Sequence, residues 1–214
     1  MATTMTFASL TTDLQNYLER GTANDTLVFN QIPEIINFGE RRCARELKVL
    51  GYVVAATFVL QANLAVYPKP DRWRETVSMN VSNTPTGTAV RQPMFPRSYE
   101  YIRLYWPDDT QVSLPKFYAD YNYQNWIFAP TPDAAYPAEV LYYEQPALLG
   151  PTNQQNWLTQ YAPRLLLYAC MIEMQLFLKK DASAAQALYD REAGVLNGED
   201  VDKILDRSTT RQKD

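Results

Sequence analysis

The run Pro163–Lys180, PRLLLYACMIEMQLFLKK, constrains the fold more than any other stretch of the chain. A proline opens it where the first turn of a helix tolerates one, because the missing N–H has no intrahelical partner there. Leu165 through Ile172 is apolar at every position, so that half of the run reserves no stripe for water. A helix apolar all round is buried on several sides. The apolar run is also shorter than the ~20 residues needed to cross a bilayer. It therefore reads as the central rod of a helical bundle, covered by helices of its own chain, by a neighbouring subunit, or by both.

Composition limits the chemistry next. A chain of 214 residues can bury a full core as one domain with a sub-domain. It contains no histidine, which removes Ser-His-Asp and Cys-His nucleophilic systems, imidazole bases and the usual zinc ligand sets. A net charge of −4 argues against a protein built mainly to neutralise phosphates. Cys43 and Cys170 lie in apolar helical patterns with no disulfide spacing and read as small buried hydrophobes. The glycines form neither G-x-G-x-x-G nor G-x-x-x-x-G-K, and no acidic run has calcium-loop spacing. No catalytic residue, metal ligand or cofactor site is assigned. The opening MATTMTFASLTTDLQ lacks the basic-then-apolar order of a secretion signal, so folding in a reducing cytoplasm is expected.

In chain order, Phe7, Leu10, Leu14 and Leu18 predict a first amphipathic helix starting at Thr6 and stopped by Gly21. A second helix is expected from about Pro33 to Leu50, with Ile32, Ile35, Ile36, Gly39, Cys43, Leu47 and Leu50 as its seam and Gly51 closing it. Gly39 within that seam suggests close helix–helix approach. After Gly51 the texture turns to strands: Tyr52–Leu60, Leu64–Tyr67, then Trp73–Val81 with Trp73, Glu75, Val77, Met79 and Val81 on one face, and a short return over Thr88–Gln92. Residues 97–106 predict a short helix. Three more strands are expected over Pro115–Asp120, Asn125–Ala129 and Ala138–Glu144. Asp181 caps a last helix over about Ala182–Leu196 that Asn197-Gly198 stops, and Glu199–Asp214 reads as a flexible charged tail. The expected fold class is thus α+β: mainly a helical bundle core (1–51 and 146–198), an inserted small antiparallel β-region (52–145) and a flexible C-terminal arm (199–214).

Three groups of residues attract function. Glu173 is the one acidic residue in the apolar rod, and an ion-pair network with Arg41, Arg42 and Arg45 explains it better than general acid catalysis, since no second carboxylate is evident. The basic stripe of Arg41, Arg45 and Lys48 is more simply a solvated face than a nucleic-acid contact. Between Phe95 and Tyr143 lie nine tyrosines, with Trp106 and Trp126. Such aromatics are core and cross-strand pairs first, protein-interface residues second, and sugar platforms third.

Several segments in this order resemble the tailed-phage head-to-tail adaptor, or head completion, proteins. They are TFASLTTDLQNYLERG at the start, FNQIPEIINFGERRCARELKVLG over 29–51, YPAEVLYYEQPALL over 136–149, and NQQNWLTQYAPRLLLYACMIEMQLFLKKDASAAQALYDREAGVLN over 153–197. The resemblance implies a non-enzymatic virion protein at the head–tail junction, assembled in the host cytoplasm. It implies a twelve-subunit ring under the portal protein that continues the DNA channel and passes duplex DNA without reading its sequence, with no membrane role. By position, it implies portal binding by the C-terminal extension, including Lys203, Ile204, Leu205, Arg207 and Arg211. It also implies that the tyrosine-rich region, with Tyr99, Tyr101, Tyr105, Tyr121, Tyr123 and Trp126, contacts neighbouring adaptors, the tail nozzle or tail-fibre proteins. The competing expectation from composition is a carbohydrate-binding or glycan-hydrolysing virion protein with two carboxylates facing each other across an aromatic cleft.

Overall fold

The computed structural model describes residues 4–21, 25–85 and 90–210, with 200–210 described by backbone alone. The chain forms two compact units, residues 1–52 with 145–214, and residues 53–144.

The first unit is helical. Helix α1 (Phe7–Leu18) starts from a capping box in which Thr6 and Ser9 satisfy each other's backbone N–H groups, and it buries Leu10 and Leu14. Helix α2 (Thr26–Glu46) starts two turns earlier than its proline suggests. Pro33 sits inside it, because the apolar seam already begins at Val28 and continues through Ile32, Ile35, Ile36, Gly39 and Cys43. A 3-10 turn, Leu50–Tyr52, follows. Helix α4 (Trp157–Tyr161) leads into α5 (Pro163–Phe177), with Pro163 in its first turn. Helix α5 buries Leu165, Leu166, Leu167, Ala169, Cys170, Ile172 and Met174 against α1, α2, α4 and α6. Gly39 explains how α2 comes so close: a Cβ there would lie 2.7 Å from Cys170 Sγ. Gly51 is equally constrained, since a Cβ would fall 2.0 Å from the Trp157 ring.

Helix α6 (Ser183–Thr210) corrects the expected arm. Asp181 accepts hydrogen bonds from Ser183 at its start, and Ala185 and Tyr189 turn inward, but the backbone does not stop at Asn197-Gly198. A glycine in a helix interior costs about 1 kcal/mol, which weakens a helix without by itself ending it. A Cβ at Gly198 would meet nothing within 4 Å, so no packing at that position demands a glycine.

The second unit is a curled sheet of seven strands in the order β1-β7-β3-β4-β5-β6-β2. The strands are β1 (Val53–Val59), β2 (Val66–Pro68), β3 (Trp73–Ser82), β4 (Arg91–Pro96), β5 (Phe117–Asp120), β6 (Asn125–Ala129) and β7 (Pro137–Glu144), with α3 (Tyr99–Tyr105) between β4 and β5. This overturns a mainly helical bundle carrying a small antiparallel insert: the chain is 42% helix and 24% strand, so the sheet is an architecture of its own. Nor is it purely antiparallel. Strand β4 pairs antiparallel with β3 through Met94 and then parallel with β5 at Phe95 and Pro96, which fuses what reads as separate hairpins into one sheet. Register shifts between Trp73 and Glu75 and between Thr76 and Ser78 break the period of β3, so Val77 is exposed although Met79 and Val81 are buried.

Both faces of the middle of this sheet are covered. One side holds Tyr67, Met79, Met94, Trp126, Phe128 and Val140, and the other holds Ala119, Ile127 and Ala129 under Ile102 of α3. Strand β6 alternates between the two, Trp126 and Phe128 to one side and Ile127 and Ala129 to the other.

Candidate interaction surface

Helix α3 is set by Ser98, whose hydroxyl accepts from Tyr101 N–H at 3.1 Å, and by the burial of Ile102. With Ile102 turned to the sheet, Leu104 and Tyr105 are left exposed, while Tyr101 packs back toward Phe117 of β5. Leu104 is 74% exposed and Tyr105 57%. The β5–β6 turn lies beside this helix. Asn122 Oδ1 accepts from the backbone N–H groups of Gln124 and Asn125, both at 2.8 Å, and so fixes a tight turn that projects Tyr121 and Tyr123. Tyr123 is 78% exposed.

These rings fall into separate groups, and Tyr123 meets Trp73 edge-on at 6.1 Å rather than a ring of α3. Tyr121 meets Tyr99 edge-on at 5.7 Å, Tyr101 and Tyr105 are 4.7 Å apart, and Tyr101 meets Phe117 at 6.0 Å. Cations sit among them: the Arg97 guanidinium is 5.5 Å from the Tyr101 centroid, and that of Arg103 is 5.6 Å from Tyr99. Arg103 also donates to the Tyr99 hydroxyl and, at 2.8 Å, to Asp109, and these two bonds hold its pKa above the ordinary arginine value. The face is therefore apolar in body, polar at its tips and permanently charged, the chemistry that suits a protein partner.

The structure separates the six aromatic residues expected to make contacts. Tyr99, Tyr105, Tyr121 and Tyr123 are exposed, and Tyr101 is half-buried beneath Arg97. Trp126 is not a surface residue: it is 0% exposed, stacked on Phe58 at 6.2 Å and edge-on to Trp73 at 6.3 Å. Leu104, Phe95, Arg97 and Arg103 belong to the face and were not anticipated from sequence. The signal for Leu104 was a seven-residue helix with apolar residues on two faces, one more than the sheet can cover.

In the helical unit, Arg42 donates from Nε to Glu173 Oε1 at 2.8 Å and approaches it through Nη2 at 2.7 Å, with Glu46 at 3.4 Å. Burial opposes the charge on Arg42, and the Glu173 hydrogen bond and charge outweigh it. Arg41 and Arg45 are exposed beside this pair and line, with Phe38, a cleft of about 410 Å³. Lys203, Ile204, Leu205 and Arg207, expected by position to reach the portal, fall on the last turns of α6, and Arg211 lies outside the described residues.

The acidic residue that sequence reasoning missed is Glu40. It is 0% exposed, accepts from Leu149 N–H at 2.9 Å and from the Asn156 side chain, and so ties the segment before α4 to α2. Burial pushes its pKa up to about 7, against the lowering effects of those two hydrogen bonds and of Arg41.

A glycan cleft needs paired carboxyls. A cleft of about 570 Å³ along β3 contains Trp73, Tyr118, Glu75 and Asp120. Asp120 is already engaged by Lys69 Nζ at 2.7 Å, and that ammonium is itself 3.5 Å from the Trp73 centroid. No cluster of acidic and cysteine side chains able to hold a metal ion occurs among the described residues.

The sheet unit thus displays aromatic and cationic groups on α3 and on the β5–β6 turn. The chain belongs to the SU10 adaptor protein family, whose model matches residues 5–212. That membership agrees with the resemblance to phage head-to-tail adaptors and makes the protein a phage adaptor. No curated protein matches the chain.

Proposed function

We propose that this protein is a structural, non-enzymatic virion subunit that forms a twelve-membered ring between the portal and the tail and continues the DNA channel. The aromatic face of α3 and the β5–β6 turn is the observation that carries the reading. Exposed apolar side chains in number mark interaction surfaces, and Tyr with Arg is the composition of binding hot spots. In this reading that face contacts neighbouring adaptors or the tail nozzle. The end of α6, with Lys203, Ile204, Leu205 and Arg207, reaches the portal as a helix rather than as a loose arm, which lowers the ordering cost of binding, and Arg211, outside the described residues, joins them in that contact. Ring multiplicity raises the effective concentration of each such contact. DNA passes without sequence readout.

The test is assembly on purified portal rings. Full-length protein should decorate them with twelve copies, and a chain ending at residue 198 should keep its fold and fail to attach. Attachment by the truncated chain at full occupancy would remove α6 from the portal contact.

A further inference from the structure

The two edges of the sheet are built in opposite ways. Strand β2 is three residues long, ends at Pro68 and runs into Lys69 and Pro70. Brevity, proline and charge are the usual means of stopping an edge from pairing with another chain. Strand β1 has none of them. It is seven residues long, VVAATFV, and residues 49–68 contain no charged side chain at all. Its register with β7 is unbroken from Val53↔Tyr143 to Val59↔Pro137, so no bulge twists the edge away. Among the described residues β7 is its sole strand neighbour, and Ala55, Thr57 and Val59 are exposed.

We propose that β1 is a strand-addition edge, and that its occupant in the free protein is β1 of a second copy of this chain. The strand is complementary to itself. Antiparallel pairing about Thr57 sets Ala55 opposite Val59 and Ala56 opposite Phe58, small against large on each face, with Thr57 opposite Thr57 on the exposed one. No like charges meet anywhere along it, and cross-strand threonine pairs and small–large apolar pairs are favourable. The sheets of two copies then run on as one, and each unprotected edge covers the other. This contact is separate from the ring proposed above. A two-fold contact closes on itself and cannot generate a cyclic ring, so it describes the subunit before incorporation, when its edge would otherwise invite aggregation.

The experiment is cysteine trapping in the full chain. The native Cys43 and Cys170 are fully buried and do not compete. Under mild oxidation Thr57→Cys should give a covalent dimer of twice the 24.6 kDa chain mass, while Val77→Cys, exposed on the same sheet, should not. Independently, Thr57→Lys places two ammonium groups face to face and should weaken dimerisation about tenfold or more at unchanged melting temperature. Absence of the Thr57→Cys dimer, equal trapping at Val77→Cys, or a wild-type chain that stays at 24.6 kDa at every concentration would overturn the proposal, even if the edge later proved to accept a strand from the portal or the tail.

Discussion

Helices α5 and α3 carry the two kinds of apolar surface in this protein, and they are used in opposite ways. Helix α5 is apolar on all sides from Leu165, and its own chain covers it from there to Met174; only its last turn leaves Leu176 and Phe177 exposed. Helix α3 buries Ile102 alone and turns Tyr99, Leu104 and Tyr105 outward. Apolar density therefore marks the core, whereas the second apolar face of the short helix α3 stays uncovered by its own chain, and it is this face that is proposed above to meet a partner. A neighbouring subunit is not needed to explain the greasiest helix.

The largest expected effect sharpens the α5 side of this contrast. Leu166 is 0% exposed, and Leu166→Ala should cost about 2–5 kcal/mol in denaturant unfolding, the range for emptying a packed core site. A smaller loss would mean that α5 is less completely covered than described.

Glu40 comes next. Its pKa rises from 4.5 to about 7 on folding, so the unfolded chain releases its proton first and stability falls as pH rises through that window. The group should withdraw about 3 kcal/mol by the time pH exceeds its folded pKa. The difference in unfolding free energy between wild type and Glu40→Gln, followed across pH, should show this decline, and a flat difference would contradict it.

Gly39→Ala tests the approach of α2 to α5. Helix propensity alone would gain about 1 kcal/mol, but a Cβ 2.7 Å from Cys170 Sγ forces the helices apart at a cost of about 1–3 kcal/mol. A net loss of up to about 2 kcal/mol is expected, and a stabilised variant would show that the contact yields. The smallest effect on folding belongs to α3 and the turn. Tyr105→Ser and Tyr123→Ser should each change stability by no more than about 0.5 kcal/mol, while together lowering ring assembly at least about tenfold. A large loss of stability would make them core residues after all.

Much of this was legible in the chain. The Thr6 cap, Pro163 in the first turn of α5, Gly39 as a point of close approach, and strands close to their observed places follow from local spacing and turn chemistry. What escaped has long-range causes. The Pro33 ring looked like a helix start because local rules favour it there, yet the seam from Val28 overrode them. The joining of the strands into one sheet depends on β4 changing partners at Phe95, which no local pattern encodes. Trp126 and Tyr123 are three residues apart and chemically alike, but β6 runs between two covered faces while the turn before it does not. Glu40 hid because an acidic residue on a helix reads as a solvent face until Leu149 and Asn156 are seen to bind it.

The most direct trial of the central claim is electron microscopy of portal rings incubated with wild-type protein and with the Tyr99→Ser, Tyr105→Ser, Tyr123→Ser variant. The account predicts full rings of the wild type, with α3 and the β5–β6 turn packed against a neighbour, and bare portals with the folded variant. Full rings of the variant, or wild-type rings in which those tyrosines still face water, would contradict it.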